Sequence, residues 1–439
     1  MAVYADREAF IPYRKADIIE LCAEDGRLSP ENVKKFREFC EIVGSYYHFD
    51  FHKTLEAFKN NFAPYDPDSD TKARIEPTED QLRAMEYDLK QKLNYVLEKA
   101  NYSSLTEEEL TKALNEQSLI TLNLNVNFDD FEFWSLYHRG NAQQTVDLKK
   151  LFGLKHIPFT MDIYERVVLL IKFKDEEYFL KKFKGNKKKL ETLNFTPGKM
   201  YIYMYKNIPQ ADLEILFPNV EISMNKKDKI FFGVPAVGAG VPILVKIATQ
   251  LPFIFLAISA IATGATLTKP EIFPAITATL SLLIALFGFI FKQYVKFKNK
   301  KIKFLKDVTD TLFFKNLVSN SGVFNSLIDS AEEEECKEVF LAFYHLLVAE
   351  QPLTQEELDD TIEEWLENKF NTKIDFDVEK ALDKLQNLRG KVLESAEDDE
   401  VEEQAILTIG EDKKCRIVSI DEAKTIIDYI WDNIYQYNE

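Results

Sequence analysis

Three groups of residues in this 439-residue chain have types and spacings that chemistry uses. In HFDFH, His48 and His52 share one helical face at i, i+4, with Asp50 between them. No HExxH and no third ligand cluster accompanies the pair, so no metal site is expected and the stretch reads as part of an amphipathic helix. Trp134, His138 and Arg139 in FEFWSLYHRG form the second group. They invite an active-site reading, but no nucleophile with a paired base can be assembled around them, and a partly buried aromatic strand ending in solvated polar groups explains them as well. The third is the run Glu332 to Glu335 in AEEEECKEVF. Glu332 and Glu335 could touch a cation, yet consecutive helical residues point in different directions, so the run reads as the solvated start of a helix, where the macrodipole tolerates negative charge.

Other signatures lead away from catalysis. Cys22, Cys40, Cys336 and Cys415 form no CxxC pair, so a reducing compartment fits and no disulfide framework is required. GVPAVGAG lacks the Lys-Ser/Thr pair of a phosphate loop and the spacing of a dinucleotide fingerprint. FKGNKKKLE, residues 183–191, is a basic patch without the aromatic interleaving of a single-strand platform, and reads as a solvated turn that could touch lipid headgroups. No cofactor is expected.

The elements around these groups divide by period. SPENVKKFREFCEIVGSYYHFDFHKTLEAF and EDQLRAMEYDLKQKLNYVLEKA carry apolar positions at helical spacing. FEFWSLYHRG, YERVVLLIKFK and KMYIYMYKNI have the aromatic, β-branched alternation of strands. Residues 1–228 therefore read as an α+β domain. Behind residue 301 the order is helix, helix, helix, strand, strand, helix. A capping box runs from Thr354 to Glu357 and a hairpin is expected around Gly410 to Lys414, an order that suggests a winged-helix-like domain over 302–439.

Charge separates the two flanks. The net charge of the chain is −18, yet residues 302–439 hold 34 acidic and 14 basic side chains, so the whole deficit lies there. Such a domain repels polyphosphate, which excludes nucleic acid and favours a basic protein partner.

Between the flanks lies an apolar block, 229–301. Ile272 to Phe291 is twenty uncharged residues, twelve of them Ile, Leu or Phe. At roughly −0.5 kcal/mol for each such residue, insertion into a bilayer is favourable. Residues 247–266 form a weaker second span, LTKPE a connector, and the Gly/Pro-rich stretch 231–245 an interfacial or bent lead-in. Lys292, Lys296, Lys298, Lys300, Lys301 and Lys303 follow Phe291. Read as membrane anchors, they predict a transmembrane helical hairpin in the lipid bilayer, with both termini cytoplasmic. The fold class expected is thus an α+β membrane protein: an N-terminal α+β domain, a central hairpin and an acidic winged-helix-like domain.

Three stretches, DREAFIPYRKADI, YIYMYKNIPQADLEILFPN and FFKNLVSNSGVFNSLIDSAEEEECKEVFLAFYHLL, resemble the transmembrane-protein-143-like family. The family pattern has an Asp-Asn pair where this chain has Val318 and Ser319 before Asn320. The resemblance implies a membrane protein of bacteria or of mitochondria and plastids, without assigned catalytic residues; with no basic, apolar leader visible at Met1, the cell membrane is the expected location. Three functions compete: a membrane-anchored interaction or scaffold protein, a homo-oligomeric channel or transporter, and a membrane-bound enzyme acting on lipid.

Overall fold

The computed structural model describes residues 9–106, 110, 123–150, 155–223, 272–371, 373–392 and 403–435, with single positions between 245 and 263. Its helices are α1 (Lys15–Glu24), α2 (Pro30–Phe62), α3 (Glu79–Lys99), α4 (Glu176–Lys182), α5 (Lys187–Leu190), α6 (Ile272–Lys315), α7 (Ser321–Val348), α8 (Gln355–Phe370), α9 (Val378–Asn387) and α10 (Ile420–Asp432). The strands are β1 (Ser103–Ser104), β2 (Asn123–Asn125), β3 (Phe131–Lys150), β4 (Lys155–Phe173), β5 (Met200–Pro209), β6 (Glu221–Ser223), β7 (Asn316–Ser319), β8 (Leu353–Thr354), β9 (Arg389–Gly390), β10 (Gln404–Ala405), β11 (Leu407–Ile409) and β12 (Lys414–Ile417). Contacts divide the chain into two units: residues 1–110, 131–209 and 316–439 form one, and 111–130 with 210–315 the other.

The first unit is organised by α7. Nineteen of its 28 residues are buried, and from Ala331 to Leu346 none is exposed, so this stretch needs neighbours on every side. These come from both ends of the chain: α1, α2 and α3 from before the sheet, α8 and α9 from after it. Aromatic pairs mark the joints. Phe39 stacks on Phe343 with ring centroids 4.1 Å apart, and Phe58 on Phe324 at 4.6 Å. Residues 1–110 and 316–439, separate domains in the sequence reading, therefore share one core. A segment whose long helix is buried on every side from Ala331 to Leu346 cannot close a core from its own three short helices, which is the physical reason for the difference.

An antiparallel sheet of order β1-β3-β4-β5-β7 flanks this helical layer. Along β5, Met200, Ile202 and Met204 enter the shared core, while Tyr201, Tyr203 and Tyr205 follow one another on the other face at 6.2 and 5.9 Å. Asn320, φ 50°, ends the β7 edge: its N–H donates to the Ile202 carbonyl at 2.7 Å and its Oδ1 accepts from the Ile202 N–H at 3.3 Å, so a side chain continues the ladder by one step. Downstream, α7, β8, α8 and α9 lead to the hairpin of β11 and β12, whose sheet has the order β11-β12-β8. The Thr354/Glu357 capping box starts α8.

The second unit contains the β2–β6 pair and α6. Here the expected membrane hairpin, and with it the membrane fold class, is overturned: among the described residues, no helix is long and apolar enough to cross a membrane. Ile272 opens a helix of 44 residues, about 66 Å long and roughly twice the hydrocarbon thickness. Lys292, Lys296, Lys298, Lys300, Lys301 and Lys303 lie inside this continuous helix. The apolar side chains do not stop at Phe291: Tyr294, Ile302 and Leu305 continue among the lysines of the same helix, where the sequence reading ended a span at Phe291. The lead-in 231–245, the weaker span 247–266 and the connector 267–271 lie outside the described residues apart from single positions.

Candidate functional site

The glutamate run is not a solvated helix start. Helix α7 begins eleven residues earlier, at Ser321, and Glu332, Glu334, Glu335 and Glu338 are buried in its middle. Each meets a partner distant in sequence. Glu332 accepts from Lys15 Nζ at 2.8 Å and lies 2.8 Å from His48 Nδ1. Glu333 accepts the Lys15 backbone N–H at 2.6 Å. Glu334 accepts from the Ile11 N–H at 3.1 Å, Asn101 Nδ2 at 3.3 Å and Lys337 Nζ at 2.6 Å, and Lys337 also donates to the Ile11 and Tyr13 carbonyls at 2.6 and 3.0 Å. Glu335 pairs with Lys99 at 3.3 Å and with Lys384 of α9 at 2.8 Å, and Lys384 also donates to Glu338. Burial disfavours the Lys384 ammonium, yet Glu338 and Glu335 outweigh it and raise its pKa. These carboxylates tie the N-terminal segment, α2, α3 and α9 to α7.

Trp134, His138 and Arg139 are not one constellation. Four residues along a strand span about 13 Å, so Trp134 is separated from His138 and Arg139. Trp134 pairs in register with Ile171, while His138 lies against Tyr164 with ring centroids 4.2 Å apart. The Arg139 guanidinium sits 3.9 Å from the Phe10 ring and 4.7 Å from that of Tyr102, and donates to the Ala100 carbonyl at 2.9 Å. His138 and Arg139 border a polar recess of about 430 Å³ with Asn101, Ser103 and Lys380. Nor do the cysteines supply a nucleophile: all four are buried and unbridged, and burial pushes Cys336 up to about 12, which leaves a thiol at neutral pH.

A larger groove of about 720 Å³ lies where α1, α2, α7 and α10 meet. Ile19, Cys40, Phe340 and Trp431 give it apolar walls, and Lys15, His48, His52 and Glu332 polar edges. Sequence reasoning paired His48 with His52 but had no means of placing Glu332 beside them. Gly44 of α2 also lines the groove, and a Cβ there would meet nothing within 4 Å. Gly44→Ala should therefore raise stability by about 0.5–1 kcal/mol through helix propensity alone, measured by urea unfolding.

Another concentration of charge, on α8 and the loop before α9, brings Asp359, Asp360, Glu363, Asp375 and Asp377 together. Burial, followed by the charges of Glu363, Asp360, Asp375 and Asp377, pushes the Asp359 carboxyl up to about 7. Asp25 shows the opposite balance: burial works against its charge, but hydrogen bonds from Lys369, Tyr344, Arg27 and Trp365 hold it well below the usual carboxylate range.

A domain of unknown function, DUF3754, is found at residues 164–322, from β4 to the start of α7.

Proposed function

We propose that the chain acts by binding rather than catalysis, and that the acidic face of α8 and the adjoining loop receives a basic segment of a partner protein. Asp359 carries this reading. Burial first, and then the charges of Glu363, Asp360, Asp375 and Asp377, raise its carboxyl to about 7, so negative charge on this face costs the free protein and a docking cation cluster would relieve the part due to the neighbours. The excess of acidic residues behind residue 301 supports the same sign of partner and disfavours polyanions. So does α9, whose Lys384 is turned into the core against Glu335 and Glu338. We also propose the finer kinship with the transmembrane-protein-143-like family; it rests on YIYMYKNIPQADLEILFPN and FFKNLVSNSG, both within 164–322, and brings no activity with it.

Fluorescence anisotropy with a labelled lysine-rich peptide tests the binding reading. Binding should weaken as salt rises, and the triple variant Asp359→Asn, Asp360→Asn, Glu363→Gln should lose about tenfold or more in affinity, a change of about 1.4 kcal/mol. Equal binding by that variant, or equal binding of a glutamate-rich peptide, would overturn the reading.

A separate expectation concerns stability. Because the folded-state pKa of Asp359 is raised above 3.8, folding stability is lost from this group as pH climbs from about 4 towards 7. Asp359→Asn should therefore be more stable than the parent at pH 7 and no different at pH 3, as read by urea midpoints.

A further inference from the structure

The groove between α1, α2, α7 and α10 carries two imidazoles that the acidic-face reading does not use. His48 and His52 stand one turn apart on α2 and both border the groove, which puts their Cβ atoms roughly 6 Å apart. Glu332 adds what a pair of surface histidines ordinarily lacks. Its side chain is 12% exposed and held in the α7 core; one oxygen is taken by Lys15 at 2.8 Å, and the other lies 2.8 Å from His48 Nδ1. An ionised carboxylate cannot donate, so this contact requires the proton on His48 Nδ1. In the neutral ring the lone pair is then left on Nε2, at the far side of the imidazole from Glu332. A carboxylate that fixes the tautomer and the ring orientation from behind is the usual second partner of a metal-bound histidine.

We propose that His48 and His52 are the protein ligands of a divalent transition-metal site at the mouth of the groove, with Glu332 as the positioning residue for His48. Imidazole donors select zinc, nickel or copper over magnesium and calcium, which prefer oxygen. Among the described residues no group of three or more His, Cys, Asp or Glu side chains gathers to enclose an ion. With two imidazoles from the protein, water or a small anionic ligand lying in the groove would have to fill the remaining coordination positions. Lys15, anchored by Glu332 at the same edge, is placed to neutralise such an anion.

Isothermal titration of Zn²⁺ into the tag-free full-length chain at pH 7.5 tests the assignment. One equivalent should bind. His48→Asn and His52→Asn should each weaken binding at least about tenfold, and their double variant should abolish it. The His48 side chain is 72% exposed, so these changes should leave the urea unfolding midpoint in place. Glu332→Gln should weaken Zn²⁺ binding about 10- to 100-fold with the stoichiometry unchanged. Mg²⁺ should not compete at a hundredfold excess. Wild-type affinity in the double histidine variant, or no binding by the parent chain, would overturn the proposal; neither result touches the acidic-face reading, whose peptide titration uses other residues.

Discussion

Lys384→Met should destabilise the protein by about 3–5 kcal/mol in urea unfolding, a loss far larger than that of a surface lysine. Lys384 is one of the few lysines in the interior, and its ammonium is shared by Glu335 and Glu338 across the contact between α9 and α7. Without it, Glu335 retains Lys99 at 3.3 Å, but Glu338 loses its ion-pair partner in the core. The penalty is therefore chiefly that of a stranded carboxylate. Adding Glu338→Gln to Lys384→Met should return more than half of the loss, because an amide costs less to bury than an ion. A double-mutant cycle reads this directly: the two changes should be non-additive by at least about 1.5 kcal/mol. Additive losses would mean that the pair is not the joint between the two halves of the core.

The second large effect belongs to acid. His345 is 1% exposed on α7, neither ring nitrogen has a hydrogen-bond partner, and the ring is packed against Tyr344 and Trp365 at 5.1 and 5.4 Å. Burial, then the Arg27 charge, pulls its pKa down to about 3. A histidine that titrates near 6.5 when unfolded and near 3 when folded gives the unfolded chain more bound protons between those values. Stability is thus fully present above about pH 6.5 and is lost as pH falls, by about 1.4 kcal/mol for each unit and roughly 4–5 kcal/mol in all by pH 3. His345→Phe keeps a ring in the same packing and removes the proton site. Its unfolding free energy should match or exceed that of the parent at pH 7 and fall less steeply between pH 6 and 4. Parallel pH profiles for the two proteins would contradict this account of His345.

Local patterns were legible wherever the cause of a structure is itself local. The Thr354/Glu357 capping box starts α8 because both its hydrogen bonds join residues three apart, and aromatic alternation in KMYIYMYKNI marks β5 because the two faces of a strand are set by a period of two. Gly410 and Lys414 flank the hairpin turn for the same reason. The glutamate run was misread because nothing within a helix turn of Glu332 or Glu335 reveals Lys15, His48, Lys99 or Lys384, which are joined to them only by the tertiary fold. Burial of a charged residue depends on such partners, and four glutamates without a visible counter-ion look solvated. The apolar block failed in a different way. A twenty-residue window treats Ile272 to Phe291 as a unit, whereas α6 continues through the lysines to Lys315. For the binding face, composition supplied the sign of the charge; the crowding of Asp359 by Asp375 and Asp377 needed the loop to fold back onto α8.

The acidic face can be interrogated at one atom. Asp359, followed by carboxyl ¹³C chemical shift through a pH titration of the labelled full-length chain, should titrate near 7 alone and several tenths of a unit or more lower with saturating lysine-rich peptide. An ordinary aspartate midpoint in the free chain, or a midpoint near 7 that the bound peptide leaves in place, would contradict a face built to receive positive charge.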